Sequence, residues 1–355
     1  MGEGIYPILD EGGHEQLVFC RDEATGLRAL IAVHNTILGP ALGGARFMAY
    51  ERESDAVRDV LRLSRGMTFK AAAAGLNLGG GKAVIIGSPL KQKNEALLRR
   101  FGRFVEGLNG RYITAEDVGT TDRDMEFVGM ETRHVVGLPA KSGDPSPFTA
   151  YGVFVAIKAA LKYLMGSESL SEKKVAVAGV GKVGAALVDL LVEAGAKITI
   201  ADVSIAAAQA VAAKHPSVVV ADPGRIHAAE VDVFAPCALG AVLNPQTIPE
   251  LKCALVVGAA NNQLADENRD ASALQERGVL YVPDFVANAG GLINVALEYD
   301  GAYSRERALA HVEKIYSHCL DILKSARESG QTPHQSALVF ALNRIESIGN
   351  VRRRR

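Results

Sequence analysis

Five short apolar runs in the second half of the chain most constrain its fold. They alternate with longer helical stretches and read KVAVAG (174–179), KITIAD (197–202), VDVFAP (231–236), ALVVGA (254–259) and VLYVPD (279–284). Short strands that are apolar along their whole length are typical of a parallel sheet covered by helices on both faces. We therefore expect a doubly wound α/β domain in this half.

The first half has a different rhythm and predicts a separate α/β domain with a mixed sheet. Its predicted elements are two strands within 16–34, a helix over 53–74, a Gly-rich loop, a strand over 82–87, a helix over 95–108 and a strand over 111–117. A Ser-, Gly- and Pro-rich loop at 141–149 predicts the boundary, and a final helix at about 332–350 is expected to pack back on the first domain. The predicted domains are 1–143 plus 330–355, and 144–329, with a cleft between them.

Composition indicates a globular enzyme outside the membrane. Of 355 residues, 48% are apolar and 22% are charged. The net charge is -1, and the Lys and Arg residues are spread along the chain. This argues against a membrane span and against nucleic-acid binding, so the basic run at 352–355 is interpreted as a solvated tail. Four cysteines without CxxC spacing and an N-terminus unlike a signal peptide predict no disulfide framework, no zinc site and a cytoplasmic location.

A glycine pattern after the first of the five runs predicts a dinucleotide site. Gly179, Gly181 and Gly184 form GVGKVG between a strand and a helix, and the next strand ends in Asp202. In the Rossmann fold such glycines let the backbone approach a pyrophosphate, and the acidic residue binds the ribose hydroxyls. No Arg or Lys adjoins Asp202, which favours NAD over NADP. The alternative is a buried glycine turn followed by a helix-capping aspartate.

Two lysines lie in unusually apolar, Gly-rich segments of the first half. Lys70 ends RGMTFK, and Lys82 follows LGGG. A phosphate-binding loop before Lys82 is excluded, because that motif needs Gly at the position of Leu76 and Ser or Thr at that of Ala83. From the segment alone, Lys82 is either catalytic or an exposed loop residue.

Several polar residues stand at the ends of predicted strands, where α/β folds place ligand-binding groups. Asp117 ends one strand, the pair Asn261–Asn262 follows another, and Asn288 opens NAGG before a helix. Each is also compatible with a simple capping role.

Seven blocks together resemble the amino-acid dehydrogenase superfamily of Glu, Leu, Phe and Val dehydrogenases. They are GPALGGARF (39–47), GMTFKAAAAGLNLGGGKAVI (66–85), GRYITAEDVGTT (110–121), PSPFTAYGV (145–153), APCALGA (235–241), GAANNQL (258–264) and PDFVANAGGLINV (283–295). The resemblance runs over nearly the whole chain in the right order. It is closest to the leucine enzymes, with some features of the phenylalanine enzymes.

The resemblance implies specific roles. Lys82 would be the general base that activates water, Asp117 would handle protons at the amino group, and Lys70 would bind the α-carboxylate, with Gly43 and Gly44 against the substrate. The side-chain pocket would be lined by Leu42, Met67, Ala115, Leu292 and Val295. The cofactor would be held by Gly179, Gly181, Val183, Gly184, Asp202 and Ala238, with Thr149, Asn261 and Asn262 facing the nicotinamide half.

The implied reaction is the reversible, NAD-dependent oxidative deamination of an apolar L-amino acid to a 2-oxo acid, ammonia and NADH. Water must attack an iminium group, and both desolvation and the nearby Lys70 cation disfavour the protonated form of the base Lys82. The cofactor carries the redox chemistry, so no metal is implied.

The preferred substrate is expected to be leucine or another branched-chain amino acid. Ala115 is typical of branched-chain enzymes and Leu292 of aromatic-active relatives, so phenylalanine is the alternative. Leu42 stands where glutamate dehydrogenases have a lysine for the side-chain carboxylate, which argues against glutamate. A nicotinamide-binding sensor without turnover would not need Lys70, Lys82 and Asp117 together.

Two departures bear on substrate and assembly. The chain has GGG before Lys82, as aromatic-active relatives more often do, whereas leucine enzymes often have GGA. We expect a homo-oligomer that is at least a dimer through the first-domain sheet. The C-terminal segment, which in leucine enzymes helps to build large oligomers, looks short here, so an octamer is left open.

Overall fold

The computed structural model describes residues 5–238, 240–301 and 303–353, without the side chains of the last two, and Arg354 and Arg355 of the basic run lie outside it. The chain divides into two compact units. The first lies within Met1–Asp144, Val295–Arg305 and Ala341–Arg355, and the second within Pro145–Asn294 and Glu306–Phe340. The predicted return to the first domain at residue 330 differs from this division, since the last helix starts in the second unit.

The first unit is built on a mixed six-stranded sheet. Its elements are α1 (Ile5–Gly12), β1 (Gln16–Asp22), β2 (Leu27–Asn35), β3 (Ala41–Leu42), β4 (Ala45–Met48), α2 (Glu53–Ala73), β5 (Gly79–Ile86), α3 (Pro89–Gln92), α4 (Glu95–Glu106), β6 (Tyr112–Ile113) and α5 (Asp122–Gly129). The strand order is β1-β2-β5-β3-β6, with β4 also paired to β5. β1 and β2 are antiparallel neighbours, whereas β3 and β4 run parallel to β5. The predicted mixed sheet is thus confirmed.

The two faces of this sheet bury separate cores, because side chains alternate along each strand. On one face, Ala83 and Ile85 of β5 pack with Phe101 of α4. On the other face, Val84 packs with Val60 of α2. α2 therefore covers the face toward which alternate residues of β5, including Lys82, are directed.

The second unit is a doubly wound parallel sheet. Its elements are α6 (Ser146–Met165), β7 (Lys174–Ala178), α7 (Lys182–Glu193), β8 (Lys197–Ala201), α8 (Ile205–Lys214), β9 (Val219–Val220), β10 (Val233–Pro236), β11 (Leu255–Val256), α9 (Glu267–Glu276), β12 (Leu280–Tyr281), α10 (Asp284–Ala287), α11 (Gly290–Tyr299), α12 (Arg305–Ser329) and α13 (Pro333–Arg353), of which α11 and α13 continue into the first unit. The strand order is β12-β11-β10-β7-β8-β9, which is the Rossmann order. The predicted fold class is confirmed.

Several predicted boundaries differ from the structure. The glycines at 79–81 are part of β5 and not a loop, because without side chains their backbone fits closely against Asn35 and Thr68. The strand predicted over 111–117 is only Tyr112–Ile113, and the following residues form isolated bridges. The predicted loop at 141–149 ends early, since α6 already begins at Ser146 after Pro145.

α6 is a core helix of the second unit. By length and composition it is the one helix in the described ranges that could cross a membrane, but 56% of its most apolar window is buried inside the protein. Among the described residues, no group of three or more His, Cys, Asp or Glu side chains is arranged to hold a metal ion.

Candidate functional site

Lys82 and Arg46 lie on the same face of the first-unit sheet. Arg46 of β4 pairs with Val84 of β5 in parallel register, so its side chain is directed to the face that α2 covers. Lys82 is two residues before Val84 and shares that face. The Lys82 side chain is only 7% exposed, which contradicts the alternative of an exposed loop lysine.

Helix α2 brings further charged residues to this face. Asp59 and Lys70 are eleven residues apart, which is close to three full turns of an α-helix, so both lie on one side of α2. Met67 lies one turn before Lys70, and its Cγ is 3.4 Å from the point that a Cβ on Gly43 would occupy.

Asp117 is fixed by a tight turn after β6. Its backbone N–H donates to Thr120 Oγ1 at 2.9 Å, and that hydroxyl donates in turn to the carbonyl of Ala45 at 2.9 Å. Thr121, not Asp117, caps α5 by accepting a hydrogen bond from the N–H of Asp124. The capping alternative for Asp117 is therefore excluded.

Asp117 forms ion pairs with two cations through the same oxygen. Its Oδ2 is 3.3 Å from Lys82 Nζ and accepts a hydrogen bond from Arg46 Nε at 3.0 Å. Arg46 also donates through Nη1 to Asp59 Oδ2 at 2.9 Å, and the Tyr50 hydroxyl donates to that oxygen at 2.6 Å. The result is a chain of contacts from Lys82 through Asp117, Arg46 and Asp59 to Tyr50.

The electrostatics of this chain keep the carboxylate charged. Burial alone would raise the pKa of Asp117, but the cations of Lys82 and Arg46 hold it below its ordinary value. Burial lowers the proton affinity of Arg46, yet Asp117 and Asp59 together raise the pKa of its guanidinium. Burial and the hydrogen bond to Asp59 raise the pKa of Tyr50, which stays a neutral donor.

Paired glycines let the backbone approach this centre. A Cβ on Gly44 would collide with the carbonyl oxygen of Glu116 and would lie 2.9 Å from Asp117 Cβ. The carbonyl of Gly43 accepts a 2.6 Å hydrogen bond from the Tyr112 hydroxyl. The ring of Tyr112 packs over Gly81, where an added Cβ would lie 2.7 Å from its Cδ2.

The residues of the predicted side-chain pocket are apolar and mostly buried. Leu42 and Ala115 belong to the first unit and are at most 7% exposed. Leu292 and Val295 are buried on α11, with the boundary between the units falling just before Val295.

In the second unit the glycine turn joins β7 to α7. Gly179 has a φ of 100°, and an added Cβ would meet Ala238 Cβ at 2.5 Å. Gly184 packs against the carbonyl of Gly179, which brings α7 close to β7. A Cβ added to Gly181, the N-cap residue of α7, would meet no atom within 4 Å. The first and third glycines are thus needed for packing, and the second leaves open space at a helix N-terminus, next to Val183.

Asp202 lies beside this turn. Its Oδ2 accepts a hydrogen bond from the N–H of Val180 at 2.8 Å, and its Oδ1 accepts one from the N–H of Ser204 at 2.8 Å. Ser204 caps α8, so the alternative of a helix-capping Asp202 is excluded. The carboxylate is half-buried at the end of β8, where the Rossmann fold places its ribose-binding acid.

The other predicted cofactor residues lie on segments of the same unit. Thr149 is in the first turn of α6. A Cβ added to Gly291 would lie only 2.5 Å from its Oγ1. Asn261 Oδ1 accepts a hydrogen bond from Asn288 Nδ2 at 2.8 Å, and Asn262 has a φ of 52°. Asn288 is buried and orients Asn261.

The structure therefore brings Lys82, Asp117, Gly43, Gly44 and Met67 together on the first unit. Arg46, Asp59 and Tyr50 were not predicted from the sequence. Of these, Arg46 lies in the family motif at 39–47, two residues after Gly44. No local pattern indicates that its partner is Asp117, which is 71 residues away along the chain.

Comparison with known proteins accounts for both units. The profile of the Glu/Leu/Phe/Val dehydrogenase dimerisation domain matches residues 14–134. That of Glutamate/Leucine/Phenylalanine/Valine dehydrogenase matches residues 143–208 and 204–352. The chain belongs to the Glu/Leu/Phe/Val dehydrogenase family. The resemblance drawn from the seven sequence blocks is confirmed, and the protein is an amino-acid dehydrogenase.

Individual members of the family match over their full length. Leucine dehydrogenase of Thermoactinomyces intermedius is 50% identical over 98% of this chain and 95% of that protein. Phenylalanine dehydrogenase of the same organism is 44% identical over 98% and 96%. The crystal structure of L-tryptophan dehydrogenase from Nostoc punctiforme has a TM-score of 0.84 and 43% identity, and the match covers 97% of this chain and 99% of that one.

Proposed function

We propose that this family member oxidises leucine or a similar branched-chain L-amino acid with NAD as the hydride acceptor. The observation that carries the proposal is the buried Lys82–Asp117 pair beside the paired glycines of the first unit. It agrees with the identity of about half the residues to leucine dehydrogenases. Phenylalanine is the second candidate, because Leu292 follows the aromatic-active pattern.

The residues divide the chemistry between them. Lys70 binds the α-carboxylate, and ionised Asp117 accepts a hydrogen bond or a proton from the substrate amino group. When bound, NAD supplies the hydride acceptor for the Cα–H bond. Lys82 then takes a proton from the water that attacks the resulting iminium carbon, and collapse of the carbinolamine releases ammonia and the 2-oxo acid.

The second unit supplies a site whose residues fit NAD. Gly181 leaves room for a pyrophosphate at the N-terminus of α7, and Asp202 presents a carboxylate at the position for ribose hydroxyls. Val203, the residue after it, is 90% exposed and apolar, so no cation is available there for a 2′-phosphate. Thr149, Asn261 and Asn262 are the proposed contacts to the nicotinamide half.

The proposed assembly is a homo-oligomer formed at least through the first unit. Support comes from the dimerisation-domain profile that matches residues 14–134. Measuring the molar mass in solution by light scattering tests this, and a monomer at micromolar concentration would contradict it.

The test of the proposed function is a substrate panel. NADH formation is measured with Leu, Ile, Val, Phe, Trp, Glu and Ala, each with NAD and with NADP. We expect the highest kcat/KM with a branched-chain amino acid and NAD, detectable activity with Phe and negligible activity with Glu. A preference for Phe or Trp would overturn the substrate assignment, and no NADH with any amino acid would overturn the activity itself.

A further inference from the structure

Arg46 contacts Asp117 Oδ2 directly, as Lys82 does. Its side chain is 18% exposed, similar to the 19% of Asp117, so the contact is largely shielded from solvent. A guanidinium carries several donors in a fixed plane and can bind two carboxylates at once. Arg46 does this by bonding Asp117 through Nε and Asp59 through Nη1.

We propose that Arg46 is a positioning residue for the reaction, held by Asp59 and Tyr50, which fixes the Asp117 carboxylate and competes with Lys82 for its oxygen. The inference rests on the proposed function, since it concerns the carboxylate that is proposed to accept a hydrogen bond or a proton from the substrate amino group.

The effect of Arg46 on Asp117 has a definite direction. Burial raises the pKa of Asp117, and the cations of Lys82 and Arg46 lower it, Arg46 also through its hydrogen bond to Oδ2. Without the guanidinium the carboxylate would take up a proton at a higher pH. Arg46 therefore favours the ionised Asp117 that the proposed reaction needs.

Other titratable groups of the first unit are directed to the same sheet face, and one of them, Asp59, bonds Arg46 directly. His34 lies on β2, where its ring nitrogens bond Thr68 Oγ1 and the carbonyl of Gly12. Lys70 and Asp59 lie on α2, and Tyr50 bonds Asp59. A shift in the pH dependence after removal of Arg46 is therefore attributable to the lost guanidinium and its two carboxylate partners.

The experiment compares Arg46→Met, Arg46→Lys and the wild type across a pH series. For Arg46→Met we expect kcat for leucine to fall by about 10²-fold, since a misplaced catalytic group costs about this much. We also expect the acidic limb of the kcat/KM profile to move to higher pH, because Asp117 loses one of the two cations that lower its pKa. Arg46→Lys keeps the charge but cannot bridge both carboxylates, so we expect reduced kcat with the limb near its original position.

The matched control is Arg100→Met. Arg100 forms an ion pair with Asp22 at 3.0 Å, but it belongs to α4, which packs on the opposite face of the sheet. Its removal should leave the acidic limb in place. NADH binding, measured by fluorescence, checks that the second unit of each variant is folded.

The outcomes separate the inference from the function. An active wild type with an unmoved limb in Arg46→Met would overturn the role of Arg46 alone. A wild type inactive with every amino acid would overturn the proposed function and this inference with it. If Arg46→Met does not fold, Asp59→Asn and Tyr50→Phe remove the support behind Arg46, and an unchanged kcat and pH profile in both would also overturn the proposal.

Discussion

The carboxylate of Asp202 is joined to the glycine turn by a 2.8 Å hydrogen bond from the backbone N–H of Val180. This side chain thus supports the turn, and it is also the proposed ligand of the ribose hydroxyls. In this proposal, cofactor choice and the shape of the turn are linked at one residue.

Replacing Asp202 with Ser, together with Val203→Arg, should shift the enzyme toward NADP. The change removes a negative charge that would repel a 2′-phosphate and adds a cation at an exposed neighbouring position. The ratio of kcat/KM for NADP to that for NAD should rise by at least about tenfold, equivalent to about 1.4 kcal/mol. Val203→Arg alone is the control. A wild type already faster with NADP would show that the acidic residue was assigned wrongly.

Lys82→Met should abolish most turnover without loss of NADH binding. The substitution removes the proposed base from the buried pair with Asp117, while the proposed cofactor residues belong to the second unit. General bases contribute about 10²–10⁴-fold, so kcat should fall by at least about 100-fold. Steady-state kinetics and fluorescence titration with NADH measure the two quantities. Retention of a tenth of the wild-type rate would rule out Lys82 as the base.

Ala115→Gly should increase the relative preference for phenylalanine. Ala115 is 7% exposed, so loss of its methyl group enlarges a buried space that a planar ring could use. Apolar pockets distinguish one methylene by about 1–3 kcal/mol, so the Phe/Leu ratio of kcat/KM should rise about tenfold. Ala115→Ser, which keeps a side chain, serves as the comparison. An unchanged ratio in the glycine variant would place the pocket wall elsewhere.

Acidification should destabilise the first unit through His34. Burial, together with the nearby His14 ring, lowers the pKa of His34 to about 4. The unfolded chain binds this proton near pH 6.5 and the folded chain only near pH 4, so stability from neutral His34 is present above pH 6.5 and is lost as the pH falls toward 4. The loss should approach about 3 kcal/mol.

Urea unfolding at pH 7 and pH 4.5, followed by circular dichroism, measures this dependence. His34→Gln should flatten it, because glutamine does not titrate. Equal pH dependence in wild type and His34→Gln would argue against the assignment.

The sequence was sufficient for the fold class because the second unit has strongly apolar strands in regular alternation with helices. It was less informative for short elements. The strand Val219–Val220 is exposed and only two residues long, so it carries no apolar signal. The strand predicted over 111–117 was too long, because the residues after Ile113 form isolated β-bridges instead of a continuous ladder of strand hydrogen bonds.

The same limit applies to the site. Lys82, Asp117 and the glycines follow from motifs, but their partners depend on tertiary register. Arg46 reaches Asp117 because β4 pairs with β5 in one particular alignment. Asp59 reaches Arg46 because α2 crosses that face, and neither relation has a local sequence signature.

The contact of Tyr112 with Gly81 has an evolutionary consequence. A methyl group at position 81 would press on the ring whose hydroxyl holds the Gly43 carbonyl. A lineage that acquires alanine there must either tilt the aromatic ring or replace it, and both routes move backbone that is proposed to face the substrate. Positions 81 and 112 should therefore show epistasis, so that the fitness effect of a change at one depends on the residue at the other. Drift at this strand would then alter amino-acid preference even though neither side chain needs to touch the substrate.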